Sequence, residues 1–218
     1  MKLFPQKVAE YKHRLRATKG MIMHLKDYEL ATLSVNHATP RYLGWLRDEE
    51  VTRFLEVRRK QYSLDDLKQY ISSFKGDKSK FLFGVFHRAT GDHVGNGTVY
   101  NVNYEVGTFT IGLMIGDKEH WGKTVSMESC LTLLWYGFEK LGMRKFFGGV
   151  YANHFASRFV LQRLGCVFEA VLKERFLFEG QPVNQCYYTM TRNQWFEAKR
   201  KHNASVVLDV NDAGKANL

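Results

Sequence analysis

Phe109 to Ile115 is an apolar run of strand character that ends on Gly116 and passes through the polar turn Asp117-Lys118-Glu119-His120-Trp121. At Gly122 it opens into a long amphipathic segment that closes on Gly142. No other stretch of the chain limits the fold as strongly. A strand that feeds a helix through a glycine-bearing turn aims several backbone N–H groups at one spot, because the first N–H groups of a helix have no partner within it. The positive end of the helix dipole points there too. The chemistry on offer is anion binding, above all of a phosphorylated ligand. The turn is not a P-loop, since Lys118 to Thr124 lacks the GxxxxGK[ST] spacing. GxGxxG appears nowhere after a strand, which argues against a nicotinamide or flavin dinucleotide fold.

The elements around this turn set the class. Pro40 with Tyr42, Leu43, Trp45 and Leu46 has helical spacing, a second short helix follows near Glu49 to Leu55, and Ser63-Leu64-Asp65-Asp66 reads as a capping-box start. Strand patterns follow at Phe81–His87, His93–Val102 and Phe109–Ile115, then the long helix from about Gly122 to Leu141. Lys145–Tyr151 is a strand, Asn153 stands at the start of a helix in N-cap position, and Val167–Phe178 with Asn184–Thr191 closes the chain as a hairpin. This order predicts an α+β layer fold in one domain over residues 21–192. A basic arm or short helix precedes it at 1–20, and a short helix with a loose tail follows at 193–218.

No apolar run approaches the roughly 18 residues needed to span a membrane. Met1 to Gly20 lacks the apolar core of a secretory signal, so a cytoplasmic protein is expected. Cys130, Cys166 and Cys186 are too widely spaced for a disulfide framework or a zinc knuckle, and no His/Cys/Asp cluster has ligand spacing, so no metal is implied. A net charge of +10 raises nucleic acid as a partner, but the basic residues are scattered and no nucleic-acid module accompanies them. A phosphate-rich small ligand accounts for a positive field equally well. A homodimer is left open.

Together, Glu50-Val51-Thr52-Arg53-Phe54-Leu55, Val94-Gly95-Asn96, the central Ile111-Gly112-Leu113-Met114-Ile115-Gly116-Asp117-Lys118 with His120-Trp121-Gly122-Lys123, and Tyr151-Ala152-Asn153 with Ser157 resemble a Gcn5-related N-acetyltransferase. The branch is that of the ribosomal-protein N-terminal acetyltransferases and the small-molecule transferases related to them. The resemblance spans roughly Leu30 to Thr191. It implies a mixed, mostly antiparallel sheet splayed between two parallel strands, with helices on both faces and acetyl-CoA in the splayed gap.

The resemblance also implies roles. Backbone N–H groups of Glu119, His120, Trp121, Gly122, Lys123 and Thr124 would hold the pyrophosphate, backbone groups of Met114 and Ile115 the pantetheine arm, and Asn153 would add a hydrogen bond. The family's turn reads R/Q-x-x-G-x-G/A, whereas this chain has Glu119 first and Thr124 last; the β-branched Thr124 crowds the spot where phosphate should approach. Ser157 stands where a serine of this branch can protonate the departing thiolate, and a structural serine fits as well. Glu174 is the carboxylate expected to take the proton of the acceptor amine. Glu56 and Arg58 would meet the acceptor, although a solvated basic turn explains Arg58 too. The expected activity is acetyl transfer to a primary amine of a small molecule, such as an amino sugar or nucleotide-linked amino sugar. Acetylation of protein N-termini and a non-catalytic acyl-CoA-binding module are the alternatives.

Overall fold

The structure, a computed structural model, describes residues 21–56 and 61–210, the last four as backbone only. The basic arm 1–20 and Arg58 lie outside the described residues. Nine strands form one sheet: β1 Met21–His24, β2 Tyr28–Thr32, β3 Phe81–His87, β4 His93–Asn103, β5 Thr108–Ile115, β6 Lys145–Tyr151, β7 Val167–Phe178, β8 Gln181–Thr191 and β9 Val207–Val210. Their spatial order is β7-β8-β6-β5-β4-β3-β2-β1-β9. Every neighbouring pair is antiparallel except β5 and β6.

Alternation along the strands splits the apolar residues between two cores, because successive side chains leave opposite faces of a sheet. Leu30, Phe83 and Val85 join the larger core, while their neighbours Ala31, Leu82 and Phe86 join the smaller one. Helices α1 Pro40–Arg47, α2 Glu49–Thr52 and α3 Leu64–Ser72 cover the smaller core. Helices α4 Val125–Trp135, α5 Phe155–Arg163 and α6 Arg192–Lys201 cover the larger one. The starts of α1 and α3 follow their caps: Thr39 accepts from the Tyr42 N–H, and Ser63 with Asp66 completes a capping box.

Three differences from the sequence reading have local causes. The long helix begins at Val125 rather than at Gly122, and it widens over Tyr136–Lys140 into a π-turn before Gly142, whose φ is 72°. At the widening, a Cβ on Gly137 would come within 2.1 Å of the Phe109 ring, so only glycine admits that ring. Helix α5 starts at Phe155 with His154 as its N-cap residue, so Asn153 stands outside the helix and does not cap it. The C-terminal segment expected as loose tail contributes β9, which pairs antiparallel with β1. That pairing is between residues almost two hundred positions apart and leaves no local signal.

Candidate cofactor and acceptor site

Strands β5 and β6 pair only at Thr108 with Lys145 and Phe109 with Phe146, and then part. The ladder with β4 shows which groups are left facing the gap. Gly116 N–H donates to the Val94 carbonyl at 2.9 Å, with Gly95 opposite Ile115 and Asn96 opposite Met114. Backbone groups alternate in direction along a strand, so those of Met114 turn to β4 and those of Ile111, Leu113 and Ile115 turn to the gap. On β6, Ala152 N–H donates to the Asn184 carbonyl, which by the same phase turns Phe147, Gly149 and Tyr151 toward the gap. The two expected pantetheine contacts therefore differ: the Ile115 backbone faces the gap and that of Met114 does not. The Ile115 carbonyl already accepts from Trp121 Nε1 at 2.9 Å.

The turn after β5 uses most of its own donors. Asp117 accepts from the Glu119 N–H through its side chain and from the His120 N–H through its carbonyl. Trp121 N–H donates to Lys118 and Lys123 N–H to His120. Among the described residues, the N–H groups of Gly122 and Thr124 have no protein acceptor. Gly122 has φ 73° with open space where a Cβ would lie. Thr124 precedes Val125 with its side chain making no cap bond, and the N–H groups of the first turn of α4 follow. The free donors thus run from Gly122 into α4 rather than over the whole span from Glu119. Lys123 is exposed beside them and makes no ion pair among the described residues.

Several turn side chains serve the fold. His120 is buried, its Nδ1 lies 2.8 Å from the Tyr28 hydroxyl, and burial lowers its pKa. Glu128 in α4 is buried and accepts from the N–H groups of Lys26, Asp27 and Tyr28 at 3.1, 2.8 and 3.1 Å through one oxygen. Lys118 bonds Asp48 at 2.8 Å and Glu50 at 2.6 Å, which raises its pKa and lowers that of Asp48. Arg41 pairs with Asp117. The phosphate-type turn is therefore strapped to α1 and α2.

At the open end of β6, Tyr151 donates to Glu56 at 2.7 Å and stacks on Phe176 at 4.0 Å. Phe54 stacks on His154 at 4.1 Å and on Phe178 at 5.0 Å. Burial pushes the His154 imidazole down to about 4, so it is neutral near pH 7. Asn153 Oδ1 is buried and has no partner among the described residues. Ser157 is half-buried on the first turn of α5, with no hydrogen bond among the described residues. Glu174 is exposed at φ 49° in the bulge of β7, where its N–H donates to Asn184 Oδ1. Glu105 lies in the β4–β5 turn, at the paired end of the gap rather than the open one. Tyr151 was legible only as part of the resemblance; its tie to Glu56 spans 95 positions. Phe54 was named only within the resemblance, and its aromatic partners Phe176 and Phe178 were missed, for the same reason of distance.

A gap between two parallel strands, with free backbone donors along it and a helix N-terminus at its end, suits a ligand that carries both amide and phosphate groups. The acetyltransferase (GNAT) domain family matches residues 29–167, and the chain belongs to that family. It is an acyltransferase, and enzymes of this family take their acetyl group from acetyl-CoA. An uncharacterized N-acetyltransferase of Bacillus subtilis, YoaA, is 24% identical over 148 residues, covering 66% of this chain and 82% of that protein. The spermidine N-acetyltransferase of Vibrio cholerae, solved with CoA and spermine, superposes with a TM-score of 0.70 at 18% identity over 78% of this chain and 98% of its own. The ribosomal L7/L12 N-terminal acetyltransferase RimL, solved with CoA, gives 0.68 at 14% identity over 76% of this chain and 94% of its own. No helix among the described residues is long and apolar enough to cross a membrane.

Proposed function

We propose that this protein acetylates a primary amine of a small molecule, of the amino-sugar or nucleotide-linked amino-sugar class. The carrying observation is the Tyr151–Glu56 hydrogen bond at the open end of the gap. It holds a carboxylate beside an aromatic wall, where an ammonium group and the apolar face of a sugar ring are both accommodated.

The residues present fit acetyl-CoA. The free N–H groups of Gly122, Thr124 and the first turn of α4, with Lys123, suit its phosphates. The gap-facing backbone of Ile111, Leu113 and Ile115 suits its amide-bearing arm, and the orphaned Asn153 Oδ1 accepts an N–H from it. When bound, acetyl-CoA supplies an activated thioester. The Ile115 N–H is aimed to donate to a carbonyl oxygen in the gap. Glu56 anchors the acceptor ammonium and takes its proton, and Ser157 returns a proton toward the sulfur side. Arg58, two residues after Glu56 in the sequence, is the cation assigned to the phosphate of a sugar nucleotide in this reading.

The test is acetyl-CoA with a panel of free and nucleotide-linked amino sugars, polyamines and N-terminal peptides, followed by thiol release and mass spectrometry. Turnover confined to sugars supports the reading. Turnover confined to peptides or polyamines overturns the acceptor class, and failure to bind CoA in calorimetry overturns the cofactor site as well.

A further inference from the structure

We infer that helix α6, with the recess at its C-terminal end, binds single-stranded nucleic acid on a surface separate from the cofactor gap. Between Arg192 and His202 the chain carries four lysines and arginines against one acid, Glu197. Arg200 and Lys201 are exposed and make no ion pair among the described residues. The end of α5 adds a further exposed cation, Arg163, whose carbonyl lies 2.9 Å from His202 Nε2. Basic residues distant in the sequence are thus gathered where α5 meets α6.

The helix end needs none of these side chains as a cap. The carbonyls of Ala198, Lys199 and Arg200 accept from the N–H groups of His202, Ala204 and Asn203 at 2.9, 3.0 and 3.2 Å, with Asn203 in the left-handed region at φ 47°. The cofactor site does not need them either. Lys199 bonds Glu139 at 2.8 Å, in the π-turn that continues α4 at its C-terminal end. The free donors of the phosphate-type turn stand at the other end of that helix, about 20 Å away at 1.5 Å per residue. That exceeds two screening lengths of about 8 Å each, so the α6 cations do little to hold phosphates there.

An aromatic ring stands among the charges. Phe196 is 37% exposed and lies one helical turn from both Arg192 and Arg200, and the Arg192 guanidinium carbon is 5.6 Å from its ring centre. The ring forms one wall of a recess of about 330 Å³, completed by Lys199, Arg200, Asn203, Ala204 and Ser205. An exposed aromatic face between cations stacks an unpaired base while the neighbouring phosphates meet the arginines and lysines. Asn203 and Ser205 add an amide and a hydroxyl for the base edge or the sugar.

The chemistry of this face selects the partner. A membrane-surface helix would turn a row of large apolar side chains outward, whereas Phe196 is the single large exposed one on α6. A protein partner would find no apolar centre on α6 from which to exclude water. A duplex keeps its bases stacked on one another and leaves the Phe196 ring without a partner.

Fluorescence anisotropy of a labelled oligouridylate of about twenty nucleotides, titrated with the full chain, reads this directly. Micromolar binding is expected at about 50 mM salt and roughly tenfold weaker binding at about 200 mM, as the neutralising of two to three phosphates requires. Arg200→Glu with Lys201→Glu changes only exposed positions; it should raise the dissociation constant roughly tenfold or more, flatten the salt dependence and leave CoA affinity unchanged. Phe196→Ala should weaken the single strand about fivefold or more, and leave the same strand annealed to oligoadenylate unaffected. No binding at the lower salt overturns the inference. So does an affinity for the single strand that either variant leaves unchanged, displacement of the strand by CoA, or a preference for the duplex.

Discussion

The Trp45 indole of α1 packs against Gly116, so close that a Cβ at 116 would stand 2.0 Å from Trp45 Cδ2. The glycine that ends β5 is thus the seat of the acceptor-side helices on the phosphate-type turn. Gly116→Ala is expected to cost about 1–3 kcal/mol of stability, the usual penalty for overpacking, and to weaken acetyl-CoA binding. Trp45→Leu in the same background should recover part of the stability, because it vacates the space that the methyl needs. Urea denaturation of both variants measures this. Equal and additive losses would mean that the two residues do not act together.

Glu128 holds the β1–β2 turn to α4 through three backbone N–H groups on one oxygen. Glu128→Ala leaves the buried Tyr28 N–H and the part-buried N–H groups of Lys26 and Asp27 without their acceptor, and should cost about 1–3 kcal/mol. Glu128→Gln keeps an acceptor and should retain more than half of that stability. A denaturation midpoint unchanged in the alanine variant would show that the turn has another anchor.

Lys123 and Thr124 separate charge from crowding at the phosphate-type turn. Lys123 is exposed and unpaired among the described residues, so Lys123→Ala should leave the thermal midpoint unchanged and weaken CoA binding about three- to tenfold, less so at high salt. Thr124 has an exposed side chain and helical φ of −70°, with no cap bond. Thr124→Gly should therefore be neutral or tighten binding. Calorimetry with CoA at two ionic strengths tests both; a Thr124→Gly protein that no longer binds would make the hydroxyl a ligand.

Two enclosed histidines give the fold an acid limit. Burial pushes His93 and His154 down to about 4; His93 sits among the rings of Tyr42, Trp45 and Phe86, and His154 against Phe54. The unfolded chain binds their protons near 6.5 and the folded chain only near 4, so the unfolded state carries more protons between these values. Stability should be full above about pH 6.5 and fall as the pH drops toward 4, by up to about 1.4 kcal/mol per pH unit for each histidine. Thermal midpoints across that window measure the slope, and His154→Phe should flatten it.

What could be read in the sequence was local or periodic. Leu82-Phe83 and Val85-Phe86 alternate between two cores, and Ser63 with Asp66 caps α3 as its spacing required. The glycine-bearing turn between β5 and α4 was legible as a turn that opens a helix. Its donors were not, because which N–H groups stay free depends on how Asp117 folds its own turn. Asn153 reads as a helix cap by residue type, yet His154 takes that position. Glu56 meets Tyr151 only through the packing of the segment after α2 against the end of β6, a contact without a periodic signature.

Asn153 offers the sharpest separation of function from fold. Its Oδ1 is buried without a partner, so in the free protein the side chain contributes desolvation without a compensating bond. Removing it should leave stability unchanged or raise it by about 0.5–1 kcal/mol. Binding of CoA should weaken about tenfold in Asn153→Ala, because the lost acceptor is one that only the ligand satisfies. Asn153→Asp keeps the acceptor oxygen and should hold affinity closer to the natural protein. Denaturation and calorimetry on the same samples decide it. A variant that loses stability and keeps its affinity would return Asn153 to the fold and leave the gap between β5 and β6 without its side-chain acceptor.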